Sequence, residues 1–227
     1  MIIAIGGGSI STGQTIKIDK FIVSLANKEN PKLLFIPTAS NDAMGYIDTI
    51  KEVYGNLGCI VDSLCLITKN YQDEEIKNLI LEADIIYVGG GNTSNMMKVW
   101  RQFKVDQYLK DAHSKGTILS GLSAGAICWF KAGHSDSQMI EEKENANFIF
   151  VEGLGLIPYI VCPHYDEKER KSFDYMIREK KEEGIALEAL SALVYENNEF
   201  RIIRADKSIN AYLFKNGIKK KLVSIDI

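Results

Sequence analysis

The sequence predicts an α/β fold, a three-layer αβα sandwich on a mostly parallel sheet with antiparallel hairpins at its C-terminal end. Three observations carry this. Short apolar, β-branched runs recur at 1–5, 32–37, 59–66, 83–91 and 116–121. Amphipathic stretches separate them at 14–28, 42–58, 73–82 and 93–116. Beyond Glu183 the texture changes to period-two runs broken by Asn-Asn, Ala-Asp-Lys and Lys-Asn-Gly. Strands that are apolar throughout belong to sheets covered on both faces, joined by right-handed helical crossovers. Such sheets keep their chemistry at the strand C-termini, and the period-two tail reads as hairpins closing one edge.

The 227 residues suit one domain over 1–227, with no linker-like stretch to divide them. A 46% hydrophobic and 25% charged composition is that of a globular protein with a substantial core. The net charge of −3, with basic residues scattered apart from Lys219 to Lys221, argues against a nucleic-acid partner. That lysine run reads as a solvent-facing hairpin or strand end. No apolar run approaches a membrane span, and the N-terminus has no basic leader region, so Met1 is read as the start of the mature protein. The four cysteines, Cys59, Cys65, Cys128 and Cys162, stand singly in apolar surroundings without metal-ligand spacing. They read as buried thiols of a cytoplasmic protein.

Two glycine-rich loops follow predicted strands. Residues 8–15 approach a phosphate-loop pattern, but Gln14 stands where the lysine belongs, and a neutral amide cannot supply its charge. Nucleotide binding is disfavoured there. The second loop, VGGGNTSNMM at 88–97, lets the main chain come close to a ligand through Gly89, Gly90 and Gly91, with Asn92 or Thr93 as a helix N-cap.

The run GTILSGLSAGAICWF at 116–130 contains G-x-S-x-G between a strand and a helix. Small residues at Gly121 and Gly125 permit a sharp turn, and the helix start behind Ser123 places the Ala124 N–H where an oxyanion would develop. A serine hydroxyl needs a base. His113 sits near the end of a predicted helix and reads as a surface residue; His134 lies in a polar loop and reads as surface or rim. His164 ends an apolar strand, as Ser123 does, and is the candidate base. Asp136 and Asp166 both qualify as the carboxylate that fixes the imidazole. Asp136 lies only 13 residues beyond Ser123, too early for an ordinary α/β-hydrolase.

The motifs IPTAS (36–40), VGGGNT (88–93), GLSAGAICWF (121–130), GHSDS (133–137) and CPHYDEKER (162–170) together resemble the dipeptidase E (alpha-aspartyl dipeptidase) family, serine peptidases related to cyanophycinase. The resemblance implies a class I glutamine amidotransferase-like, flavodoxin-like fold and hydrolysis of short peptides with N-terminal aspartate. It implies Ser123 as nucleophile, His164 as base, Asp136 as charge-relay acid, and Gly91 and Ala124 as oxyanion donors, with Gly90 and Asn92 in the same loop. Arg170, six residues after His164, is the candidate cation for the aspartate carboxylate. No metal or organic cofactor is required, and a homodimer is favoured over a monomer. Hydrolysis of β-aspartyl-arginine units and a ligand-binding scaffold without turnover are the competing readings.

Overall fold

The computed structural model describes residues 1–142 and 144–227. In chain order its elements begin with β1 (Ile2–Ile5), α1 (Ile16–Leu25), β2 (Lys32–Ile36), α2 (Met44–Asn56), β3 (Ile60–Ser63), α3 (Asp73–Leu81) and β4 (Ile85–Val88). Then come α4 (Thr93–Gln102), α5 (Val105–Ser114), β5 (Ile118–Leu122), α6 (Ala124–Ile127), β6 (Phe130–Ser135), α7 (Ser137–Ile140) and β7 (Ile149–Glu152). The chain ends with β8 (Ile157–Cys162), α8 (Ser172–Lys180), β9 (Gly184–Leu187), β10 (Ser191–Glu196), β11 (Glu199–Arg204), β12 (Ala211–Lys215), β13 (Ile218–Lys221) and β14 (Ser224–Asp226).

The first five strands form the parallel heart of an eight-stranded sheet ordered β14-β11-β10-β1-β5-β4-β2-β3. The β1, β4 and β5 strands are buried along their whole length, as the apolar runs require. On one face α1 and α2 cover Ile3, Ile5, Phe35 and Tyr87; on the other, α3 to α6 cover Ile2, Ala4, Leu34 and Val88. The fold is thus the predicted αβα sandwich, with one addition. A second, six-stranded sheet, β13-β12-β9-β8-β6-β7, carries a parallel core of β6, β8 and β9. The C-terminal hairpins are consequently divided: β10 and β11 extend the first sheet past β1, whereas β12 and β13 extend the second past β9. The expectation that they close one edge of a single sheet is corrected accordingly. Apolar side chains of the second sheet, Ile157, Val161 and Ile185, join the core under the first, and α8 packs Phe173 and Ile177 against its other residues.

The helix predicted over 93–116 is two helices. Lys104 adopts φ 55°, a left-handed conformation that ends α4 and starts α5 at an angle. Trp100, fully buried, ties α4 to the loop after β2 through its indole N–H, 3.3 Å from Thr38 Oγ1. All four cysteines are free and buried, and β13, with its three lysines, is exposed throughout. Among the described residues no helix is long and apolar enough to cross a membrane.

Candidate active site

Strand β5 delivers Ser123 to the C-terminal edge of the parallel sheet, where α6 begins one residue later. Ser123 has φ 58° and ψ −111°, a conformation that costs an L-residue about 1–3 kcal/mol and persists only when its surroundings impose it. They do. The Ser123 N–H donates to Ile5 O at 3.1 Å, and its carbonyl accepts from Ala126 and Ile127 at 2.9 and 3.0 Å. The turn closes only because both flanking motif positions are glycine: a Cβ on Gly121 would lie 2.3 Å from Gly125 O, and one on Gly125 would lie 2.1 Å from Val88 O.

The loop after β4 lies beside this elbow. Gly90 faces Ser123, a Cβ there standing 3.4 Å from Ser123 Cβ. Gly91 adopts φ 137°, and any side chain on it would collide with Ala39 O at 2.1 Å. Asn92 caps α4 by accepting the Asn95 N–H at 2.9 Å, and its own N–H donates to Ala39 O at 2.8 Å. Among the described residues, the N–H groups of Gly91 and Ala124 have no hydrogen-bond acceptor. The first belongs to the residue after Gly90, which faces Ser123, and the second to the residue after Ser123 itself.

His164 follows β8 at φ 53°, its N–H donating to Gly6 O at 2.7 Å, so the second sheet hands the imidazole to the end of β1. There it lies over Gly7, where a Cβ would come within 2.6 Å of Nδ1. The first glycine loop therefore serves as a floor for the histidine. It is also folded on itself, Gln14 Oε1 accepting the Ser9 N–H at 3.0 Å. Burial is the main influence holding the His164 pKa below the usual imidazole value; Glu167, Asp166 and Asp136 oppose it and Arg170 reinforces it. That direction favours the uncharged ring, the form that a general base requires. No hydrogen bond joins His164 to the Ser123 hydroxyl among the described residues.

The carboxylates are arranged differently from the sequence reading. Asp136 Oδ2 accepts from Arg170 Nη2 at 2.9 Å. Asp166 Oδ1 accepts the Ala189 N–H at 2.7 Å and so fixes the loop after β9. Neither is hydrogen-bonded to His164. Glu167 lies between the imidazole and the arginine, its Oε1 3.4 Å from His164 Nδ1 and its Oε2 3.5 Å from Arg170 Nε. Glu167 was not among the carboxylates that the sequence offered as a partner for His164. Its signal was the spacing: three residues past a histidine that starts a turn, it returns to the same side, as the Glu167 N–H to His164 O bond of 3.0 Å shows.

Arg170 is only 3% exposed and is held from three directions, by Asp136, by Glu167 and by the His134 carbonyl, 3.0 Å from Nη1. The candidate cation for a substrate carboxylate is thus engaged by groups of this chain. His134, expected in a polar loop, is a fully buried residue of β6. Its ring stacks on Phe148 at 4.4 Å and hydrogen-bonds Ser172 Oγ at 3.0 Å, and burial, assisted by Arg170, lowers its pKa to about 3. Among the described residues no group of three or more His, Cys, Asp or Glu side chains could hold a metal ion.

A strained serine between strand and helix, unpaired amides beside it and a neutral strand-end histidine nearby are the parts of a serine hydrolase. The profile described as Peptidase family S51 matches residues 2–203, and the chain belongs to that family of serine peptidases. The uncharacterized peptidase YgaJ of Bacillus subtilis is 33% identical over 216 residues, covering 93% of this chain and 90% of the relative. Peptidase E of Nostoc is 26% identical over 204 residues, covering 84% of this chain and 78% of the relative. The crystal structure of a peptidase from an acI-B1 Actinobacterium superposes with a TM-score of 0.73 at 19% identity, over 98% of this chain and 93% of that one. That last likeness carries the fold alone.

Proposed function

We propose that the protein hydrolyses short peptides through an acyl-enzyme on Ser123. His164 takes the Ser123 proton as the hydroxyl attacks the scissile carbonyl, and the Gly91 and Ala124 N–H groups receive the charge on its oxygen. His164 then gives the proton to the departing amine, and water repeats the sequence on the ester. Glu167, 3.4 Å from the ring nitrogen, orients the imidazole; Asp136 acts at one remove, by holding Arg170 against Glu167. The observation that carries this reading is the imposed positive φ of Ser123 beside two unpaired amides.

The aspartate preference implied by the resemblance required Arg170 to meet the substrate carboxylate. With Arg170 already engaged, we assign the activity as hydrolysis of short peptides and rest no aspartate preference on that residue. The test is hydrolysis of Asp-Leu, Ala-Leu, Leu-Leu and β-Asp-Arg by the purified protein and by Ser123→Ala. Cleavage of an α-linked dipeptide that disappears in the variant supports the reading; cleavage that survives the substitution defeats it.

A further inference from the structure

We propose that Tyr46 is a positioning residue for the reaction: its hydroxyl accepts the Gly90 N–H and so holds the Gly91 N–H, one peptide further on, in place for the charge on the scissile oxygen. This deepens the peptidase reading above and rests on it. The loop after β4 presents four consecutive amides, from Gly89 to Asn92, and their bonding accounts for its shape. The Gly89 N–H donates to Ile36 O at 3.3 Å, the Gly90 N–H to Tyr46 Oη at 3.5 Å, and the Asn92 N–H to Ala39 O at 2.8 Å. The Gly91 N–H, between the last two, has no acceptor among the described residues. All three acceptors come from one segment of chain, running from the end of β2 to the first turn of α2. Ile36 and Ala39 offer main-chain carbonyls; Tyr46 offers a side chain.

This segment is a mould for the loop. Ile36 pairs with Val88 at the end of β4, and Thr38 accepts from Trp100 of α4, so it is fixed to the elements on both sides. The Tyr46 ring lies against Gly89, where a Cβ would stand 2.9 Å from Cε1, and Phe35 meets the ring edge-on with centroids 5.0 Å apart. Glycine backbones rotate freely, so a run of three keeps one arrangement only where its peptides are held. Tyr46 anchors the Gly89–Gly90 peptide and Ala39 the Gly91–Asn92 peptide. The Gly90–Gly91 peptide, which carries the free N–H, lies between these two supports. The phenol suits the task. Burial chiefly pushes its pKa up to about 12, so it stays uncharged and accepts an N–H without setting negative charge beside the developing oxyanion.

The test is Tyr46→Phe, which keeps the ring against Gly89 and Phe35 and removes the acceptor. For the α-linked dipeptide that the wild type cleaves fastest, kcat is expected to fall roughly ten- to a hundredfold, the scale of a displaced oxyanion donor. KM should stay within about twofold of wild type, with little change in melting temperature. A tetrahedral adduct separates positioning from structure. The aminoboronic acid carrying the side chain of that dipeptide's first residue is expected to weaken as an inhibitor by the same factor as kcat/KM, while inhibition by the free amino acid product is unchanged. A kcat/KM within about twofold of wild type overturns the proposal, as does an equal loss of affinity for the boronic acid and the amino acid. Either result leaves Ser123-dependent peptidase activity standing. Absence of Ser123-dependent cleavage of every dipeptide by the wild type overturns the peptidase reading and the role of Tyr46 together.

Discussion

Arg170 Nη2 lies 2.9 Å from Asp136 Oδ2, and this pair explains why the carboxylate picked out by sequence order does not reach the histidine. The arginine stands between them. Its Nε side faces Glu167, which spans from Arg170 to His164 Nδ1. Asp136, Arg170 and Glu167 alternate in charge and lead to His164, with Glu167 Oε1 3.4 Å from Nδ1 and Asp136 on the far side of the arginine.

The three carboxylates therefore separate by substitution. Glu167→Gln is expected to lower kcat by roughly ten- to a hundredfold, the scale of a lost orienting contact on a general base. Asp166→Asn should instead act through the Ala189 loop and chiefly reduce thermal stability. Asp136→Asn is expected to cost both, because Arg170 would keep its burial and lose its closest anion. Steady-state kinetics and thermal melts on the three variants check this; full activity in Glu167→Gln would return the role to another acid.

The pH dependence has a defined sign. His164 is held below its ordinary pKa, chiefly by burial, so kcat/KM should stay level through neutral pH and fall on an acid limb whose midpoint lies below about 6.5. Glu167 opposes the lowering, so Glu167→Gln should move that limb to still lower pH. A limb above 6.5, or one that moves upward, contradicts the assignment.

Gly7 offers a way to disturb the base without the fold. A Cβ there meets the imidazole of His164 rather than backbone, so Gly7→Ala is expected to displace the ring and lower kcat at least roughly tenfold with a small change in melting temperature. Gly125→Ala should do the reverse of this separation: its Cβ would strike the Val88 carbonyl, costing about 1–3 kcal/mol of stability together with activity. Kinetics and melts on both variants decide it.

His134 makes a separate prediction about stability. Its folded pKa of about 3 lies far below the 6.5 of an unfolded histidine, so the unfolded state takes up the proton first as the medium is acidified. The histidine leaves stability unchanged above about pH 6.5 and reduces it progressively from there towards pH 3. Asp19, raised to about 6 by burial, contributes in the opposite direction between about pH 6 and 3.8, so the difference between two proteins is the clean observable. The stability gap between wild type and His134→Gln should be constant above pH 7 and shift in the variant's favour below pH 6, measured by denaturant titration.

What could be read from sequence followed from local rules. Apolar runs marked β1, β2, β4 and β5, and G-x-S-x-G between a strand and a helix marked the elbow, because small residues and a helix start are local requirements. Asn92 as a cap was legible for the same reason. The second sheet was not, because the division of the C-terminal hairpins depends on which distant strand each meets, β1 or β9. His134 was misplaced because its polar neighbours Ser135 and Ser137 are themselves buried. Which carboxylate lies beside His164 was not legible, because that is decided by how Arg170 engages Asp136 and Glu167, and sequence supplies only the order of the residues.

Covalent capture tests Ser123 as the nucleophile. The protein should be treated with a fluorophosphonate, weighed intact and mapped by peptide sequencing, in parallel with dipeptide hydrolysis. The expected result is one adduct, on Ser123, with loss of hydrolysis in step with labelling and neither reaction in Ser123→Ala. Hydrolysis that continues in Ser123→Ala, or an adduct on another residue that abolishes it, would contradict the account.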